Sequence, residues 1–134
     1  MGVGANMKRV LLLLPSNSYR VAAFVAACAD LDARVITGVD ATQASAQFGD
    51  SRVMQFNFSN PALGAREISD FAKNNPLDAI VPAEEDAVLL AAHAAQRLGL
   101  IHNSVDAVAA TRDKFKLRKL LTSAGLPQPA FSLL

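Results

Sequence analysis

The chain has 134 residues, of which 51% are hydrophobic and 19% charged, with 13 basic and 12 acidic side chains and a net charge of +1. That length suits one domain burying roughly 68% of its unfolded surface, and that balance excludes a long disordered region. A near-neutral charge excludes a surface built throughout for nucleic acid, and a single cysteine, Cys28, excludes an internal disulfide or a cysteine-based zinc site.

"MGVGAN" reads as a flexible leader. "RVLLLLP" (9–15) is a continuous apolar run of strand length, as expected for a strand buried on both faces, and far too short to cross a bilayer. Pro15 and polar residues follow it instead of a cleavage site, so no signal peptide is expected and the protein is expected in the cytoplasm. "SYRVAAFVAACADL" (18–31) places Val21, Phe24, Val25, Cys28 and Leu31 at helical spacing, with Ser18 as N-cap and Cys28 as a small buried hydrophobe. "ARVITGVD" (33–40) and "RVMQFNF" (52–58) read as the second and third strands, separated by a polar stretch at 41–50.

Asn60 and Pro61 mark the start of a helix over 60–75, which turns Ile68 and Phe71 inward together with Leu63 or Gly64. "LDAIVP" (77–82) is a fourth strand, 84–99 a helix ending at Gly99, and "LIH" (100–102) a short fifth strand. Beyond residue 103, two short helices follow without a strand between them. "GLPQP" stops the second, and "AFSLL" begins something extended. The order implies an α/β fold, a Rossmann-like open and mainly parallel sheet with helices on both faces. Such sheets bind ligands beyond the carboxyl ends of their strands, which directs attention to "PSNSYR", "GVDATQ", "FSNP", "PAEED" and "HNSV".

Familiar fingerprints are missing from these loops. "PSNSYR" has no glycine to let a backbone approach a pyrophosphate, no Walker sequence occurs, and no Gly-x-Ser-x-Gly elbow supplies a nucleophile. Receiver-type carboxylates are absent after the first and third strands. His93, mid-helix, reads as structural, whereas His102, at a strand end, could line a cleft. Glu84, Glu85 and Asp86 suit the first turn of a helix through its dipole. The functional reading is that Glu84 or Glu85 meets an amine or hydroxyl in the cleft. Tyr19 and Arg20 face the same choice between a capping loop and a substrate clamp, Arg being suited to a carboxylate or phosphate. Five basic residues run from Arg112 to Lys119 with Asp113 the one acid among them, and a helix there would pack Phe115, Leu120, Leu121 and Ala124. A solvated basic face is the default, because no helix-turn-helix partner accompanies it and no nucleic-acid role is expected.

"HNSVDAVAATRDKFKLRKLLTSAGLPQPAF" resembles the junction between the pre-ATP-grasp and ATP-grasp domains of ATP-dependent carboxylate–amine ligases. Asp113-Lys114, "FKLRKLLTS" and "AGLPQP" carry the likeness. The upstream segments "LLLLPSNSYRVAAFVAACADLDARVITGVD" and "DAIVPAEEDAVLLAAHAAQRLGL" are similar to the first domain of the branch that includes L-amino-acid ligases, carbamoyl-phosphate-synthase-like and phosphoribosylglycinamide-synthetase-like proteins. The resemblance implies a leader at 1–7, a pre-ATP-grasp Rossmann-like domain at 8–111, and a linker helix with a first strand at 112–134 leading into an absent ATP-grasp domain. It implies acyl-phosphate chemistry with ATP and Mg2+ in the full-length enzyme and none bound to this part, with Lys114 approaching the nucleotide phosphates. Tyr19, Arg20, Glu84 and Glu85 would then serve a small-molecule carboxylate or amine. It leaves room for a homodimer, and implies that these residues are catalytically incomplete. The rival reading is a stand-alone Rossmann-like binding or interaction module without catalysis.

Overall fold

The computed structural model describes residues 7–14, 21–40 and 53–134. Four strands, β1 (Arg9–Leu13), β2 (Arg34–Asp40), β3 (Val53–Phe56) and β4 (Ala79–Pro82), form one parallel sheet in the order β3-β2-β1-β4. β1 lies inside, paired with β2 through Leu11↔Ile36 and with β4 through Leu11↔Ile80. A strand with neighbours on both edges and helices on both faces has no solvated side, which is why "LLLL" is uninterrupted. Leu11, Leu12, Leu13 and Leu14 are all fully buried.

The pleat divides these leucines. Leu11 and Leu13 join Phe56, Ile68 and Leu90 in the larger core, under α2 (Pro61–Ala72) and α3 (Glu85–Leu98). Leu12 and Leu14 join Val39 on the other face, where Phe24 of α1 (Val21–Asp30) reaches them. The expected α/β architecture, with a parallel sheet between helices, is the one observed.

Local chemistry sets the helix ends. The Asn60 side chain accepts from Leu63 N at 3.2 Å and Pro61 fills the first turn. Asn57 Oδ1 accepts from Ser59 Oγ and Asn60 N, which fixes the exit from β3. α2 approaches that exit so closely that a Cβ on Gly64 would lie 2.2 Å from the Asn57 carbonyl oxygen and 2.7 Å from Leu90 Cδ1. Only glycine fits there. Ile68 and Gly64 are buried and Phe71 is half-buried, as expected, while Leu63 turns outward.

Several expectations fail. There is no fifth strand at 100–102. Gly99 takes a left-handed φ of 69°, its N–H bonds Gln96 O, and Leu100 N bonds Ala95 O at 2.9 Å. This Schellman closure consumes the donor that a strand would need, and it packs Leu100 on the core while Ile101 projects into solvent. Cys28 is half-buried rather than buried, and Val25 and Leu31 are exposed, because α1 meets the sheet along a narrow strip. "AFSLL" is extended but pairs with no strand among the described residues. The expected cap at Ser18 and the polar stretch at 41–50 lie outside the described residues.

The two short helices beyond the sheet are α4 (Val105–Thr111), capped by Ser104, and α5 (Lys114–Ser123), ended by Gly125 at φ 80°. α5 buries no residue completely: Phe115 and Leu121 are half-buried, but Leu120 and Ala124 are exposed, contrary to the expected stripe. Leu117 takes their place on the packed side. No helix among the described residues is long and apolar enough to cross a membrane.

Candidate functional site

The strand order identifies the edge to inspect. From β1 the chain moves outward to β2 and β3, then α2 carries it back across the sheet to β4 on the other side of β1. The reversal lies between β1 and β4, and a crevice opens at such a point beyond the strands' carboxyl ends. Ala83 N donates to Leu13 O at 2.8 Å and Leu14 N to Gly38 O at 3.0 Å, so the three strands end together.

Glu84 stands at this switch point, as the N-cap residue of α3 in extended conformation with no side-chain capping bond. Glu85 and Asp86 occupy the first turn, where the helix dipole favours them. Asp40, mostly buried, ends β2 at the same edge, opposite Phe56 of β3. It belongs to the "GVDATQ" segment, and its burial at a strand end is what singles it out. Tyr19 and Arg20 lie outside the described residues.

Arg112 joins this edge to the linker. Its guanidinium donates to the carbonyl of Glu85 and lies 3.9 Å from the Asp86 carboxylate. The basic run in the sequence conceals this role, since Arg112 looks like one more charge on a solvated face. The consequence is that the start of α5, two residues on, is tethered near the carboxyl edge of β4.

Asp113 caps α5, its Oδ1 accepting from Phe115 N at 3.0 Å and Lys116 N at 3.2 Å. The Asp half of the Asp-Lys pair is thereby structural, and Lys114, the first helical residue, is exposed. Lys114 and Arg118 line a cavity of about 330 Å³ with Phe115, Phe131 and Ser132. Phe131 meets Phe115 edge to face at 5.8 Å, so the terminal segment forms one wall. Two cations over a small cavity beside a helix start can hold a phosphate group.

Two other cavities lie apart from this cluster. One, of about 590 Å³, opens at the amino ends of the strands beside Arg9, Arg34, Met54 and Phe71. The second, of about 750 Å³, lies between α2 and α3 and includes His93 and His102. Neither Glu84 nor Glu85 lines any of the three cavities. His93 and His102 were read from sequence as a structural residue and a strand-end residue; they share one groove, because the closure at Gly99 turns the chain back along α3. Among the described residues no group of three or more His, Cys, Asp or Glu is placed to hold a metal ion.

No protein-family model matches the sequence, and no curated protein matches it. Solved structures do. An L-amino acid ligase from Bacillus licheniformis superposes over 93% of this chain and 32% of its own, with TM-score 0.76 and 18% identity. A phosphoribosylglycinamide synthetase from Anaerococcus prevotii matches 90% of this chain and 30% of its own, with TM-score 0.62 and 15% identity. The chain thus spans about a third of each of these enzymes and shares the fold of that third, which is the fold that the ligase resemblance implies.

Proposed function

We propose that the chain is the pre-ATP-grasp domain of an ATP-dependent carboxylate–amine ligase and supplies part of a site completed by an ATP-grasp domain. The superposition on the L-amino acid ligase carries this reading, since it runs through the sheet and into the helical linker over 93% of the chain. Both similar structures belong to ATP-grasp enzymes, the group that the Asp113-Lys114 and "AGLPQP" segments resemble.

In such an enzyme ATP supplies the phosphoryl group that activates a carboxylate for attack by an amine. The magnesium ligands and the cover over the phosphates are assigned to the further domain. This chain contributes Lys114, held at the first position of α5 by the Asp113 cap, as a charge toward phosphate. Arg118 provides a second cation in the same cavity. Glu84 at the switch point, or Glu85 beside it, is assigned to a small-molecule amine or hydroxyl, and Tyr19 and Arg20 to a substrate carboxylate or phosphate. The ion pair from Arg112 to Asp86 keeps linker and sheet edge in register.

Two assays test the reading. The 134-residue chain alone should release no ADP from ATP with magnesium and an amino acid, whereas a protein continuing into an ATP-grasp domain should release it in a substrate-dependent way. In that longer protein, Lys114→Ala should lower kcat/KM for ATP at least about tenfold, with the melting temperature nearly unchanged. Lys116→Ala is the control, since Lys116 is exposed on the same helix and does not line the cavity. Equal small effects at both positions would remove Lys114 from the phosphate site. Amino-acid-dependent ADP release by the short chain would overturn its incompleteness.

A further inference from the structure

The groove between α2 and α3 is not used by this mechanism, and its chemistry is distinctive. Ala62, Ala65 and Arg66 line it from α2, His93, Gln96 and Arg97 from α3, and His102, Ser104, Val105 and Asp106 from the turn into α4. Ala62 and Arg66 are four residues apart, as are His93 and Arg97, so each helix presents one continuous face to the opening. The small alanines leave room between the helices, and two arginines face one acid, Asp106, with two histidines beside them.

Neither arginine is neutralised. Among the described residues, Arg66 and Arg97 have no ion pair and no side-chain hydrogen bond, whereas Lys8, Lys73 and Arg112 each have an acidic partner. Arg97 in the last turn of α3 has the helix dipole to favour it. Arg66 stands in the second turn of α2, exposed to solvent at the mouth of the groove. The Ser104 oxygen accepts from Ala107 N at 3.1 Å, which leaves its hydroxyl proton free to donate into the groove. His102 Nδ1 lies 2.6 Å from Asn103 O, which holds the ring in place at the rim.

We propose that this groove binds the phosphate group of a small molecule, with Arg66 and Arg97 as the two forks and Gln96 and Ser104 as neutral donors. Two guanidiniums from separate helices line the one groove, each able to form a bidentate bond to phosphate oxygens, and about 750 Å³ admits a small phosphorylated metabolite. No Phe, Tyr or Trp lines the groove. The site is separate from the Lys114 cavity and shares no lining residue with it.

The test is a titration of the 134-residue chain followed by amide and arginine side-chain NMR at constant ionic strength, once with inorganic phosphate and once with glycerol 3-phosphate. Saturable shifts are expected at Gln96, Ser104 and Val105, with no shift at Lys114. The double variant Arg66→Gln/Arg97→Gln should weaken binding at least about tenfold while its melting temperature stays close to the parent's. Asp106→Asn should tighten it by removing the one opposing charge. Tighter binding of glycerol 3-phosphate assigns the groove to an organic phosphate, and equal affinity assigns it to phosphate itself. Shifts that grow linearly without saturating, or an unaltered affinity in the double variant, would overturn the proposal. Neither result bears on ATP turnover through Lys114.

Discussion

α1 and α3 are both alanine-rich helices beside the same sheet, yet they end in different environments. In α3, Ala87, Leu90, Ala91, Ala92, Ala94 and Ala95 are buried; in α1 no described side chain is, Val25 is 41% exposed, and Leu31 in the turn that follows α1 is 78% exposed. Composition does not explain this, since "VAAFVAACAD" is the more apolar sequence. Neighbours do. α3 is enclosed by the sheet, α2 and α4, whereas among the described residues α1 packs chiefly on the sheet, with Phe24 against Leu12, Leu14 and Val39. A helix touching one layer can bury only a strip, however apolar its other faces.

The comparison is sharpened most by Leu90→Ala. Leu90 is fully buried among Leu11, Ile68 and the Gly64 backbone, and truncation should cost about 2–5 kcal/mol, read as a lower denaturation midpoint with an unchanged slope. A loss below about 1 kcal/mol would show that the α2–α3 face is no better packed than α1. Gly64→Ala should cost somewhat less, about 1–3 kcal/mol, because the new methyl must displace the Asn57 carbonyl or the end of Leu90. If it instead stabilised the protein, as Ala for Gly does in an open helix, the close approach would be disproved. Leu31→Ser should change stability by no more than about 0.5 kcal/mol, since 78% of the side chain already meets solvent. A large loss at Leu31 would break the contrast and show that something covers α1 in solution.

Elements governed by neighbouring residues were legible before the structure. The Asn60–Pro61 start of α2, the Gly99 end of α3 and the Gly125 end of α5 follow from bonds spanning six residues or fewer. The expected strand at "LIH" (100–102) does not form, because Leu100 N is committed to Ala95 O. Of the candidate site, Lys114 and Glu84 could be named from chain order and the ligase resemblance. Arg112 could not, because its partners, Glu85 and Asp86, lie 27 and 26 positions away, and nothing in the basic run separates it from its neighbours. That Arg66 and Arg97 line one groove was invisible for the same reason: helix periodicity places each on its own face, but not the two faces against each other.

From residue order alone came the alternation of strands and helices, the parallel sheet it requires, and the punctuation that starts α2 and ends α3 and α5, because apolar period and capping chemistry act within one or two turns. Tertiary structure decided the strand order, and with it the switch point between β1 and β4 where Glu84 stands. It also decided which apolar helix became core and which remained half in water. Those outcomes depend on contacts between residues far apart in the chain, and burial is a property of the layers around a side chain as much as of the side chain itself.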